Sequence, residues 1–368
     1  MAGLARNGRV TDAPDRAGWS AFVEAHPKGS IFHTPEMHDV HARTRRYHPV
    51  TLAAVRNDGE IEALVSAVRV ATLPPALGPV ASRSVHYAEP LCRPGAEHAL
   101  AAALREHDRR MRNRTLFTEV RPLLAPGGER APLEAQGYRW EPYLNYVVDL
   151  DRTTDEIWAG FTQSARREVR RSVKAGVTIA QHDGPEGVEA LHRLCRDVYR
   201  RARVPLADVS LFHAARDVLL PRDMLITFTA VHEGAVVGAH TVLRFGRAIV
   251  AWYWANVRVK GLFVQEQLVW HSLQWAAERG CTSFDMGGAG RPDEVYGVRD
   301  FKRKFGGEEV CFGRYRRVWS DRRLALAEAA YDLTRNRDGF AGRLLGWRGG
   351  DGGAASGEPS RRRPRGPG

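Results

Sequence analysis

Cysteine is scarce in this chain of 368 residues. The four that occur, Cys92, Cys195, Cys281 and Cys311, stand far apart and form no C-x-x-C or Cys/His cluster. Neither a disulfide framework nor a zinc site is expected, and a reducing compartment is the default. The 14 histidines are scattered, with His38 and His41 on one helix face, at no spacing suited to a metal. The N-terminal stretch lacks the apolar core of a signal peptide, and no run of about 18 apolar residues occurs. A cytoplasmic protein with no integral membrane segment and no metal is expected. No G-x-S-x-G elbow, P-loop or G-x-G-x-x-G dinucleotide fingerprint is present.

What the chain does have is a globular composition, with 43% apolar and 27% charged residues and length enough for two ordinary domains. The net charge is +12 and the isoelectric point near 9.9. A basic excess favours anionic partners: nucleic acid, nucleotide-linked substrates, CoA or an anionic membrane face. Arginine greatly outnumbers lysine and Gly and Ala are heavily used. That pattern reads as a high-GC coding bias and discounts the electrostatic argument.

Along the chain, residues 1–14 read as a loose leader. Thr34-Pro35-Glu36 starts a helix. Val50–Val55 and Ile61–Val70 flank Asn57-Asp58-Gly59 as a hairpin. A helix over 96–112 precedes a strand over 115–120 and another ending at Leu150. The second part repeats this order: a helix over 154–175, a strand from Val177, helices over 185–202 and 208–219, then a hairpin around Gly234. A strand over 248–254, a helix over 261–279 and a strand over 282–286 complete it. Two copies of one α/β unit with mixed sheets flanked by helices follow, over 15–149 and 150–320. A C-terminal helix is expected over 321–347. The tail over 348–368, rich in Gly and Arg, cannot bury apolar surface and should be disordered.

The chemistry-bearing stretch is Phe284-Asp285-Met286-Gly287-Gly288 followed by Phe301-Lys302-Arg303-Lys304-Phe305-Gly306-Gly307. It reads as a buried strand, a glycine break, a loop, and a lysine held between Phe301 and Phe305. A fixed, poorly hydrated cation beside an open glycine loop suits stabilisation of an oxyanion as an acyl group changes hands. Asp285 can act as a base, orient one, or cap the turn; Glu266 is a weaker candidate. On a helix, Phe161, Ala165, Val169 and Val173 form an apolar stripe beside Arg166, Arg167, Arg170, Arg171 and Lys174. That basic face is either merely solvated or a cradle for phosphates. Trp252, Tyr253 and Trp254 are core residues or line a cleft.

Four places resemble the FemABX family of aminoacyl-tRNA-dependent transferases and the related BioF2-like acetyltransferase domains. They are Ile31-Phe32-His33-Thr34-Pro35, the basic helix from Arg166 to Val177, Ala276–Gly280 running to Phe284–Gly288, and Phe301-Lys302-Arg303-Lys304-Phe305-Gly306. The similarity runs from about Trp19 to Ser320. It implies two tandem GNAT-like subdomains and an amide-forming transferase with Lys302 at the acyl-transfer centre. Arg258-Val259-Lys260-Gly261-Leu262-Phe263 is similar to the pyrophosphate loop of acyl-CoA-dependent acyltransferases, with Arg258 and Gly261 in place and Phe263 where a small residue is usual. His41 stands where nucleotide-dependent members tend to carry a lysine, an aromatic is missing at Met37, and the helical-hairpin arm is absent.

The leading expectation is an aminoacyl group moved from aminoacyl-tRNA to an amine, on a muropeptide or small envelope metabolite, with no bound cofactor. The alternative donor is an acyl-CoA, used in polysaccharide or envelope synthesis. The non-catalytic alternative is a basic scaffold for nucleic acid or for peripheral contact with an anionic membrane.

Overall fold

The structure is a computed structural model and describes residues 8–71, 81–182, 184–202 and 205–336. The expected tail over 348–368 and the end of the preceding helix lie outside the described residues. The first half contains strands β1 (Arg9–Thr11), β2 (Tyr47–Val55), β3 (Ile61–Ala71), β4 (Ser82–His86), β5 (Leu91–Cys92), β6 (Phe117–Val120) and β7 (Arg139–Glu141). Its helices are α1 (Arg16–Ala25), α2 (Pro35–Arg43), α3 (Glu97–Met111) and α4 (Arg130–Ala135). Local chemistry sets several of these limits. Thr34 accepts the Met37 N–H with Pro35 in the first turn of α2, and Gly59 takes φ +88° in the β2–β3 turn. The residues expected as a loose leader include β1, which pairs with Ala53–Val55 as an edge strand.

Strand β8 (Asn145–Asp149) ends the first half, and the second contains β9 (Thr178–Gln181), β10 (Leu225–His232), β11 (Ala235–Phe245), β12 (Ala248–Asn256), β13 (Ser283–Gly288) and β14 (Glu308–Val310). Its helices are α5 (Thr154–Gly160), α6 (Gln163–Lys174), α7 (Pro185–Ala202), α8 (Val209–Leu219), α9 (Val264–Glu278) and α10 (Gly297–Arg303). Strand β15 (Arg314–Val318) and α11 (Asp321–Asn336) follow. The single helix expected over 154–175 is two. Phe161 leaves α5 with extended backbone and Thr162 caps α6 by accepting the Ala165 N–H. On α6 the buried face is Ala165, Val169 and Ser172, and Val173 is 57% exposed, so the expected stripe turns away at its end.

Each half has one parallel β-α-β crossover in an otherwise antiparallel sheet: β4–α3–β6 in the first and β12–α9–β13 in the second. The strand laid on the far side of each crossover comes from the other half. The first sheet runs β1-β2-β3-β4-β6-β15-β7, and the second β14-β8-β13-β12-β11-β10-β9. Thus β8 pairs with β13 while β15 pairs with β6, a reciprocal exchange. It crosses the boundary expected at 149/150 twice. Tyr315 of β15 is fully buried in one core with Leu100 and Leu104 of α3, and Tyr146 and Val148 of β8 lie in the core with Phe284.

The second sheet has a core on each face. One, with Phe228, Trp254, Leu268, Phe284 and Phe305, lies under α5, α6 and α9. The other, with Leu211, Phe212, Trp252 and Tyr253, lies under α7 and α8 and takes in Met37 and Val40 of α2. Helix α9 comes unusually close to β11 because Gly238 has no side chain. A Cβ there would lie 2.5 Å from Val264 Cγ1 and 2.9 Å from Leu268 Cδ1. That approach places the N-terminus of α9 beside the end of β12.

Candidate active site

Strands β12 and β13 pair only from Ala248–Ser283 to Val250–Asp285. A bulge at Thr241/Val242 places Trp252 as an extra residue in β12. Beyond it the two strands part, and the gap is closed by α10. Lys302 projects from α10 and is fully buried. Its ammonium donates to the Gly288 carbonyl oxygen at 2.7 Å and stands 5.7 Å from the centre of the Trp254 ring. An ammonium withdrawn from water is costly unless it is hydrogen-bonded, and an indole face adds attraction. Phe301 sits edge-on to Trp254 and to Phe305.

On the other side of Trp254 and Phe301 opens a cleft of about 320 Å³, whose lining includes Asn256, Arg258, Phe263 and Glu266. Gly261 takes φ +88° with open space around it, so the loop before α9 can lie flat along the mouth. Arg258 and Lys260 on that loop are exposed. The Arg171 guanidinium stacks 5.2 Å from the Phe263 ring, which joins α6 to the same mouth. Glu266, in the first turn of α9, is 9% exposed and burial raises its carboxyl above the ordinary range.

The residues singled out from sequence therefore divide. Phe301 and Arg258 line this cleft, Gly261 adjoins its Leu262, Arg171 stacks on its Phe263, and Lys302 stands over its Trp254. Arg166 does not face it; its guanidinium donates to the carbonyls of Ala159 at 2.7 Å and Phe161 at 2.6 Å and so caps the end of α5. Arg170 covers the Trp158 ring, while Arg167 and Lys174 are exposed. Phe305 is core, packed on Phe161 at 5.2 Å, and the aromatic partner that Lys302 meets is Trp254. Asp285 accepts from Asn145 Nδ2 at 3.0 Å and from the Gly287 N–H at 2.7 Å, which holds the bulge within the β8–β13 pairing. It lines a second cleft, of about 470 Å³ between the halves, with Lys28, Ser30, Arg152 and Glu308. Sequence reasoning left Trp254 ambiguous and missed Asn145 and Gln265. No local signal marks Asn145, whose role depends on a strand pairing 140 residues away. Among the described residues no group of His, Cys, Asp and Glu could hold a metal, and no helix is long and apolar enough to cross a membrane.

Residues 159–303 match the family model of the acetyltransferase (GNAT) domain. No curated protein sequence matches the chain. Among solved structures it is similar to FemX, with TM-score 0.65 and 15% identity over 88% of this chain and 99% of that one. L-PGS from Bacillus licheniformis gives TM-score 0.54 and 17% identity over 88% and 98%. A tandem GNAT protein from the clavulanic acid biosynthesis pathway gives 0.52 and 15% over 82% and 92%. The fold and the matched domain define an acyltransferase built of two GNAT units. The resemblance to the FemABX and BioF2-like proteins, read from four short motifs, agrees with these likenesses.

Proposed function

We propose that the protein transfers an aminoacyl group from aminoacyl-tRNA to the amine of a small or envelope-linked acceptor, at the cleft beside Trp254. The observation that carries this reading is Lys302, a buried ammonium fixed on Gly288 and separated from the cleft by a single indole. The acceptor nitrogen attacks the ester carbonyl carbon, the C–N bond forms, and the carbonyl oxygen takes up negative charge. The C–O bond to the ribose then breaks, and the leaving hydroxyl takes the proton that the amine gives up. A unit charge about 7 Å from that oxygen, at an effective dielectric constant near 20, lowers the barrier by roughly 2 kcal/mol.

Support for a nucleic-acid donor comes from the mouth, where Arg258, Lys260, Arg171 and Arg201 stand beside the open end of α9. Phe263 occupies the position that a CoA pyrophosphate would press against, and its ring is already covered by Arg171. The cleft between the halves, with Asp285 in its wall, is the natural approach for the acceptor. The test is transfer of label from tRNAs charged with radioactive amino acids, with a cell extract supplying acceptors. An RNase-sensitive transfer into an amide product supports the reading. Transfer only when acyl-CoA is supplied overturns the choice of donor and leaves the acyltransferase.

A further inference from the structure

The wall of the Trp254 cleft carries an imbalance of charge. Lys304 is shared by two carboxylates, at 3.0 Å from Glu168 and 3.6 Å from Glu266. Lys304 attracts the Glu266 carboxylate and Glu168 repels it, and as ions the three carry one negative charge in excess. The same wall holds two N–H donors with no acceptor among the described residues. They are the indole N–H of Trp254 and the amide N–H of Gln265, on residues 2% and 8% exposed. A buried donor left unpaired forfeits the water it gave up, so a ligand oxygen that reaches it gains directly. Both atoms are shielded from solvent, so only a group pressed into the cleft wall reaches them. Lys302 over the Trp254 ring draws electron density from the indole and sharpens its N–H as a donor.

We propose that these residues form a recognition site for the amino acid of the donor. Glu266 receives the α-ammonium, and the N–H groups of Trp254 and Gln265 receive the carbonyl oxygen. This deepens the reading of the cleft as an acyl site and rests on it. A simple acyl group has no cation to offer Glu266, so the site selects for an amino group beside the transferred carbonyl. Lys304 is the built-in competitor for that carboxylate.

The experiment compares kcat/KM for alanyl-tRNA with that for lactyl-tRNA, in which a hydroxyl replaces the α-ammonium. Wild type is expected to favour alanyl by about 10- to 100-fold, the range of a hydrogen bond to a charged group. Glu266→Gln brings that ratio close to one, mainly through KM for the alanyl donor. Lys304→Met, which removes the competitor, moves KM for alanyl-tRNA the other way and covers the case in which the Glu266→Gln protein folds poorly. Equal losses on both donors in Glu266→Gln, or an unchanged ratio in both variants, overturn the assignment. If wild type takes no tRNA donor at all, glycyl-CoA against acetyl-CoA is the same comparison. A glycyl preference abolished by Glu266→Gln then keeps the recognition site while the tRNA reading falls. No such preference overturns both.

Discussion

Lys302 and Gly288 are joined by a 2.7 Å hydrogen bond across the gap where β12 and β13 part, and that bond ties α10 to the end of β13. The contact fixes the direction of the ammonium in the absence of any exposed surface. The cleft beside it depends on how the neighbouring elements place Trp254 and the N-terminus of α9.

Gly238 lets α9 sit against β11, so Gly238→Ala should push the helix away. The new Cβ would lie 2.5 Å from Val264 Cγ1, closer than side chains pack. We expect a loss of about 1–3 kcal/mol in denaturant unfolding, with a raised donor KM because the cleft mouth moves with α9. Unchanged stability would show that α9 has room to yield.

The reciprocal pairing of β8 with β13 and β15 with β6 makes the halves interdependent. Chains of residues 15–149 and 150–320 made separately should each lack cooperative unfolding by circular dichroism and aggregate. Each carries one unpartnered strand and lacks another. A cooperative transition in either fragment alone would show that the exchange is dispensable.

The arginines of α6 should separate by role. Arg166→Met removes the cap on α5 and should cost about 1–3 kcal/mol in stability. Arg167→Ala and Lys174→Ala, at exposed positions, should leave stability within about 0.5 kcal/mol. Each of these two should lower the salt slope of tRNA binding by about one. A destabilising Arg167 variant, or a slope that follows Arg166 alone, would contradict this division.

Acid should unfold the protein early. Burial lowers the His33 ring to about 4 and the His41 and His240 rings to about 3. The unfolded chain takes up protons below about pH 6.5 that the folded chain refuses, so stability present above that pH is lost as pH falls. Three such groups give a slope of about 4 kcal/mol per pH unit between those limits. Glu89 opposes it: burial raises its carboxyl to about 7, so the folded state holds a proton that the unfolded state has released, and that contribution is lost as pH rises. A total stability near the low end of about 5–15 kcal/mol then runs out near pH 4–5. Circular dichroism through an acid titration checks it; Glu89→Gln should raise stability at pH 8 relative to pH 5, and a flat profile from pH 7 to 4.5 would contradict the account.

What the sequence showed plainly was whatever is local. The β2–β3 hairpin follows from Gly59 at positive φ, α2 from Thr34 and Pro35, and the order of α9 and β13 from apolar spacing with glycine at each end. Lys302 also stood out, though for an incomplete reason. Its apolar surroundings are supplied by Trp254 across the gap, and Phe305 faces the core instead. The strand exchange was hidden because β8 and β15 read as ordinary strands and nothing local says which sheet they join. The break between α5 and α6 had a visible signal in Thr162, a capping residue inside a helical pattern. Missing that break made Arg166 look like part of a free basic face.

The most direct test of the central claim is steady-state transfer by Lys302→Met, measured with the donor the wild-type protein uses. A buried oxyanion-stabilising charge predicts a fall in kcat on the order of 100-fold with donor KM nearly unchanged and the fold intact. A kcat within about 3-fold of wild type in a folded Lys302→Met protein would contradict it, since a factor that small is under about 1 kcal/mol.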